Sequence, residues 1–180
     1  IQILGPSQGT PELAKRTKDL VEQGGLYPME EDDNRGLDHD TWVSLMLMYP
    51  MMDISVCQLY VQPDRDAAYH YDLSHALAPL REDSVLILGS RSVMHNLRQR
   101  GILGSLPLEW ASKFDTLLRD SLLNWRYEVV KQYEKEPQGK IAHPPRSTCT
   151  ATGDSARAEL FHHSWTGSIS YASYRFTTKK

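Results

Sequence analysis

The sequence predicts an α/β fold, with a mixed or parallel central sheet flanked by helices, and three consecutive stretches predict it. Residues 54–61 alternate in polarity and are rich in β-branched side chains such as Ile54, Val56 and Val61, the pattern of a strand. Residues 84–89 hold a continuous apolar run, Val85-Leu86-Ile87-Leu88, bounded by a charge cluster and Gly89, which reads as a central strand buried on both faces. Between them Asp64 or Asp66 can cap a helix that sets Tyr69, Leu73, Ala76, Leu77 and Leu80 on one face. Strand, helix and strand in that order make a βαβ unit. The two strands are expected as neighbours in one sheet, with His39 and His95 converging on the same side of it.

The remaining elements follow in chain order. Thr10 can cap a first helix, Pro11 suits its first turn, Leu13, Leu20 and Val21 share a face, and Gly24-Gly25 ends it. The acidic run Glu30-Glu31-Asp32-Asp33 reads as a solvated loop. Trp42, Leu45, Met46 and Tyr49 recur at helical spacing and predict a short buried helix over 40–49. Trp110, Phe114, Leu117, Leu118 and Leu122 mark another amphipathic helix, and residues 127–133 a shorter one. Residues 137–157 carry three prolines, two glycines and no apolar period, and read as loop. Residues 158–165 and 168–176 alternate as two strands of a hairpin turning at Thr166-Gly167. There is no internal repeat and no low-complexity tract.

A chain of 180 residues is expected to form one domain that needs neither metal nor disulfide merely to fold. Twenty basic against 23 acidic side chains leave a formal net charge of −3, which gives no support for a nucleic-acid surface or an anionic-membrane surface. No apolar run approaches the roughly 18–20 residues of a membrane span. Two cysteines, Cys57 and Cys149, make no disulfide framework. Cys57 reads as a buried free thiol, so a reducing compartment, the cytoplasm, is expected. Ile1 begins abruptly, as a piece of a longer chain would.

Ligands of open α/β sheets bind beyond the carboxyl ends of strands. The run after the second expected strand, Gly89-Ser90-Arg91-Ser92-Val93-Met94-His95-Asn96, is therefore a candidate site loop, although the same residues suit a polar loop with a helix-capping serine. His39 lies between Asp38 and Asp40, either of which can orient or charge an imidazole. Equally, Asp40 can be a helix cap and His39 a surface residue. His143, in Ala142-His143-Pro144-Pro145, is a candidate metal ligand, though lone histidines seldom are. His70 and His75 are weaker candidates, and His162 and His163 of one strand must face opposite sides. The common zinc, dinucleotide, phosphate-loop and nucleophile-elbow motifs are absent from the sequence.

Several of these stretches together resemble one family. Gly36-Leu37-Asp38-His39-Asp40-Thr41-Trp42-Val43-Ser44-Leu45-Met46-Leu47-Met48-Tyr49-Pro50 is similar to the "GLDHGAWVPLMLMYP" stretch of the plant DOPA 4,5-dioxygenase-like proteins, class III extradiol ring-cleavage dioxygenases. Asp53-Ile54-Ser55-Val56-Cys57-Gln58-Leu59 resembles their "DIPVCQLSVQ", residues 86–98 their "LIIGSGSATHNLR", and Ile169-Ser170-Tyr171-Ala172-Ser173-Tyr174-Arg175-Phe176 their "LSYASYQF". The likeness runs from about Gln2 to Phe176. It implies a non-haem Fe(II) enzyme, with zinc in that place in some relatives, that opens a catechol-type ring such as DOPA with O₂. It implies that His95 is the residue exchanging protons with the catechol and that His39 contacts substrate or oxygen. Asp38, Ser90, Asn96 and His143 would bind substrate. The implied partners are a catechol and O₂, with no nucleic acid and no membrane; an oligomer is left open.

The departures matter equally. Two of the family's metal ligands lie in N-terminal "ISHG" and "SGHWE" segments, and nothing here corresponds to them. The sheet is accordingly expected to be incomplete, without its N-terminal strands. The third ligand is the histidine of a "PDH" step, where this chain has Ser147 or Thr148 within a divergent stretch over 144–153. Such a replacement between matching flanks resembles a frame slip or an aberrant splice. Asp40 and Arg91 stand where the family has glycine. The resemblance thus implies one partial catalytic domain over 1–180 with no family metal ligand retained, expected to be inactive as an isolated polypeptide. The competing reading is a catalytically dead remnant or interaction module of the same fold. A hydrolase using His95 with Asp38 or Asp40 would be a third class, but it lacks a placed nucleophile.

Overall fold

The computed structural model describes residues 10–26, 28–32, 36–51, 53–60, 62, 64–89, 96–99, 101–102, 104–142 and 156–178. The chain divides into two compact units, one of residues 1–60 and 79–90, the other of residues 61–78 and 91–180.

The first unit carries α1 (Pro11–Gln23) and α2 (His39–Met48). Helix α1 begins as its sequence dictates: Pro11 occupies the first turn, where a missing N–H costs nothing. Thr10 takes the capping position without a side-chain cap bond. Leu20 and Val21 are the buried face, and Gly24 and Gly25 turn the chain out, Gly25 at φ 71°. Helix α2 has no one-sided apolar stripe. Leu45 is buried, but Met46, Leu47 and Met48 are exposed, so the expectation of a buried helix holds for one residue.

The two predicted central strands are a correction. Val56 makes one isolated bridge, and the other described residues of 53–60 join no ladder. Over 84–89, the Val85 N–H donates to the Leu80 carbonyl at 3.0 Å and so closes a turn, with Ser84 at φ 61°. Leu86, Ile87 and Leu88 then run exposed. A strand needs a partner backbone as well as a pattern, and the pattern alone over-read this stretch. Among the described residues the sheet is a two-stranded antiparallel hairpin, not a parallel or mixed central sheet.

The second unit holds α3 (Ala67–Ala76), α4 (Glu109–Leu123), α5 (Tyr127–Lys131), α6 (Pro137–Ala142), β1 (Ala156–Thr166) and β2 (Ile169–Thr178). Asp66 caps α3 by accepting the Tyr69 N–H at 2.8 Å. Ala67, Tyr71, Ala111, Phe114, Leu118, Leu122, Tyr127, Val130, Tyr133 and Ala142 form one core, against which Trp110, Trp165, Tyr174 and Phe176 pack. A side chain buried as fully as Phe114 contributes about 1.5–3 kcal/mol by transfer from water alone. Residues 137–142 were expected as loop and are helix; Pro137 sits at its start, where proline is tolerated.

The hairpin is as expected, with Gly167 at φ 58° in the turn and an irregularity at Phe161. Three side-chain bonds tie it to the helices. Ser168 Oγ accepts the Leu108 N–H at the start of α4 (2.9 Å), Ser170 Oγ donates to Asp115 Oδ1 (2.5 Å), and Tyr127 Oη donates to the Ala156 carbonyl (2.5 Å). No described helix is long and apolar enough to cross a membrane.

His70 is fully buried in α3, with Nε2 3.0 Å from the Gln62 carbonyl and Nδ1 without a hydrogen-bond partner. Burial pushes its pKa below the ordinary 6.5, outweighing the Gln62 carbonyl and Asp66, which favour the cation. The unfolded chain then binds a proton near pH 6.5 that the folded chain refuses, so stability is intact above that pH and falls as the pH drops through it. The melting temperature is expected to decline as the pH falls below about 6.5, and His70→Gln to flatten that decline. Melts across this range check it.

Candidate active site

The candidate site begins at the entry to α2. Asp38 has extended backbone (φ −66°, ψ 157°), and its carbonyl accepts the N–H groups of Thr41 and Trp42 at 3.0 Å each, which opens the helix. Asp38, not Asp40, is therefore the cap residue, and it caps with its carbonyl rather than its carboxylate. That carboxylate is engaged elsewhere: Gln58 Nε2 donates to Asp38 Oδ2 at 2.8 Å, while the Asp38 N–H donates to Gln58 Oε1 at 3.0 Å. His39 is the first helical residue and is exposed. Its ring stands edge-on to Trp42, with centroids 5.2 Å apart and planes at 78°.

Asn96 was expected beside substrate. It is buried, and both ends of its amide are used within the fold. Nδ2 donates to the Ile141 carbonyl at 2.7 Å, and Oδ1 accepts the Arg98 N–H at 3.2 Å. It tethers the turn at 96–99 to the end of α6. His95, Ser90 and His143 lie outside the described residues, and so does the divergent stretch 144–153. The expected convergence of His39 with His95 therefore falls outside them too.

Two groups were missed by the sequence reading. Gln58 sat within an expected strand, where a polar residue reads as solvent-facing. The second group is a buried carboxylate between α4 and the hairpin. Asp115 receives the Ser170 hydroxyl and lies 3.1 Å from His163 Nε2, without hydrogen-bond alignment. His162 takes the other side, 3.0 Å from Ser164 Oγ, so the two histidines do face apart as the strand period requires. In this cluster the carboxylate sits between serine and histidine. A serine nucleophile needs the imidazole in the middle, so the cluster holds the hairpin and does not activate Ser170.

Cys57 is free and half-buried; burial, and secondarily Glu31, push its thiol up and make it a poor nucleophile. Among the described residues no three His, Cys, Asp or Glu side chains converge so as to hold a metal ion.

Residues 1–176 match the family model described as the catalytic LigB subunit of aromatic ring-opening dioxygenase. The chain is 46% identical over 179 residues to a 4,5-DOPA dioxygenase extradiol of Beta vulgaris, a match spanning 94% of this chain and 67% of that protein. It is 41% identical over 187 residues to the Portulaca grandiflora protein of that name, spanning 98% and 69% respectively. An Escherichia coli protein of that name is 36% identical over 145 residues, 77% of this chain and 52% of its own length. In fold the chain is similar to the crystal structure of an uncharacterized Escherichia coli protein, with a TM-score of 0.78 at 24% identity over 97% of this chain and 75% of that one.

Proposed function

Because the chain belongs to the LigB family of aromatic ring-opening dioxygenases, we propose that it carries the substrate- and proton-handling residues of an extradiol dioxygenase acting on a catechol-type ring such as DOPA, with O₂ as co-substrate. The single observation that carries the reading is the family match across 1–176, which takes in the Asp38-His39 and His95-Asn96 stretches. In this reading His95 takes a proton from a catechol hydroxyl, the work for which imidazole is suited near neutral pH. His39, edge-on to Trp42, contacts the ring substituents or oxygen. Asp38, Ser90 and His143 contact substrate in the same reading. Asn96 holds the backbone that follows His95.

The family is in general metal-dependent, and by family the metal is Fe(II), with zinc as the other candidate. The described residues do not fit such an ion, because no triad of donors converges. That same observation favours a second reading, a catalytically dead remnant or interaction module of the fold.

Titration of the chain with 4-methylcatechol separates the two. The dioxygenase reading expects saturable binding, weakened about tenfold or more by His39→Ala and by His95→Ala, as for loss of one hydrogen bond to substrate. A module would show no saturable catechol binding, or binding indifferent to both substitutions.

A further inference from the structure

We propose that Trp125 and Arg157 form a surface site for a small aromatic carboxylate, a site that uses none of the residues assigned to the catechol. Trp125 sits in the left-handed backbone region at φ 56°, where a bulky side chain is disfavoured and glycine is the usual occupant. The end of α4 requires that angle. The Arg126 N–H donates to the Ser121 carbonyl at 2.8 Å and the Trp125 N–H to the Leu122 carbonyl at 3.4 Å, which closes the helix. The turn explains the φ and not the tryptophan. Burial offsets the strain only in part, since Trp125 is 52% exposed. Such an outlier directs attention to what the side chain meets.

It meets a guanidinium. Arg157 Cζ lies over the Trp125 ring, 4.6 Å from its centroid. Both residues stand on fixed backbone. Tyr127, two residues after Trp125, is buried in the core and donates to the carbonyl of Ala156, the residue before Arg157. Arg157 itself pairs with Thr177 in the hairpin ladder. Groups held in this way need little ordering when a ligand arrives. Arg126, exposed on the same turn, adds positive charge. Among the described residues neither Arg126 nor Arg157 has a carboxylate within ion-pair distance. A guanidinium over an indole keeps its N–H edge for an acceptor, and a carboxylate takes that edge with both oxygens. A flat ring joined to that carboxylate can then lie against the exposed part of the indole. A saturated acid lacks the second contact, and inorganic phosphate has no ring at all.

The test is ¹H–¹⁵N NMR of the full chain titrated with sodium benzoate. It reads the Trp125 indole signal and the Arg157 Nε signal, assigned by their loss in Trp125→Gly and Arg157→Lys. Benzoate is expected to shift both signals saturably. Cyclohexanecarboxylate and inorganic phosphate, at the same ionic strength, are expected to bind several-fold more weakly. Arg157→Lys keeps the charge and loses the fork, and is expected to weaken the benzoate response of Trp125 several-fold. Trp125→Gly is expected to abolish the benzoate response of Arg157 at a melting temperature no lower than the parent's, because glycine suits the positive φ. Signals unmoved by benzoate, or moved equally by cyclohexanecarboxylate or phosphate, overturn the proposal. So does a Trp125 response unchanged in Arg157→Lys, or an Arg157 response retained in Trp125→Gly. A Trp125→Gly variant that melts below the parent overturns it as well, since the tryptophan would then serve packing.

Discussion

Gly139→Ala is expected to lower the melting temperature of the second unit by roughly 10 °C or more, from a loss of about 3 kcal/mol. Helix propensity points the other way, since alanine is favoured over glycine inside a helix by about 1 kcal/mol. The packing decides the sign. A Cβ at position 139 would lie 2.1 Å from the Tyr133 carbonyl oxygen, 3.0 Å from its carbonyl carbon and 3.2 Å from Cδ2 of its ring. Two of these three atoms are backbone, and Tyr133 is buried against Phe114 with ring centroids 6.0 Å apart. Helix α6 is not free to withdraw, because Asn96 holds the Ile141 carbonyl at 2.7 Å. Overpacking against a fixed backbone therefore outweighs propensity. Gly36→Ala is the control: nothing lies within 4 Å of a Cβ there, and about ±0.5 kcal/mol is expected. Thermal melts of both variants check the pair. A Gly139→Ala variant more stable than the parent would contradict this packing of α6 on Tyr133.

Gly139 also marks where local sequence rules ran out. Proline and glycine in one short stretch read as loop, yet Pro137 starts a helix and Gly139 is needed for a close approach that no local pattern displays. Helices α1 and α4 were legible because a long apolar stripe records both the period and the buried face. The hairpin was legible because alternation and a Thr166-Gly167 turn agree. Residues 54–61 and 84–89 were over-read, because apolar content predicts burial and a strand further requires a paired backbone. Val85 instead gives its N–H to Leu80, and Leu86–Leu88 lie exposed.

The site was legible as residues and not as geometry. Asp38 and His39 were singled out by their adjacency, but the partner of the Asp38 carboxylate is Gln58, and a glutamine in an alternating run carries no local signal of a contact 20 residues upstream. Asn96, expected to bind substrate, has a buried amide whose two ends also meet the Ile141 carbonyl and the Arg98 N–H, contacts no local pattern displays. Asp115 was invisible because its helix period places it beside Phe114 on the core side, where a carboxylate is unexpected until Ser170 and His163 are brought to it across the hairpin.

In the reading proposed above the chain handles substrate and protons, while no described set of side chains is placed to hold the metal. An open-site Fe(II) enzyme needs about three protein donors held in one geometry. No such triad converges among the described residues, and isolated imidazoles give little affinity without chelation. A chain without such a triad is expected to fail to bind iron rather than to bind it weakly. The most direct measurement is anaerobic Fe(II) reconstitution of the polypeptide by itself, then aerobic incubation with L-DOPA and simple catechols while yellow ring-opened product is followed. The expected result is no stoichiometric iron and no product. Stoichiometric iron with turnover that disappears in His95→Ala would contradict it.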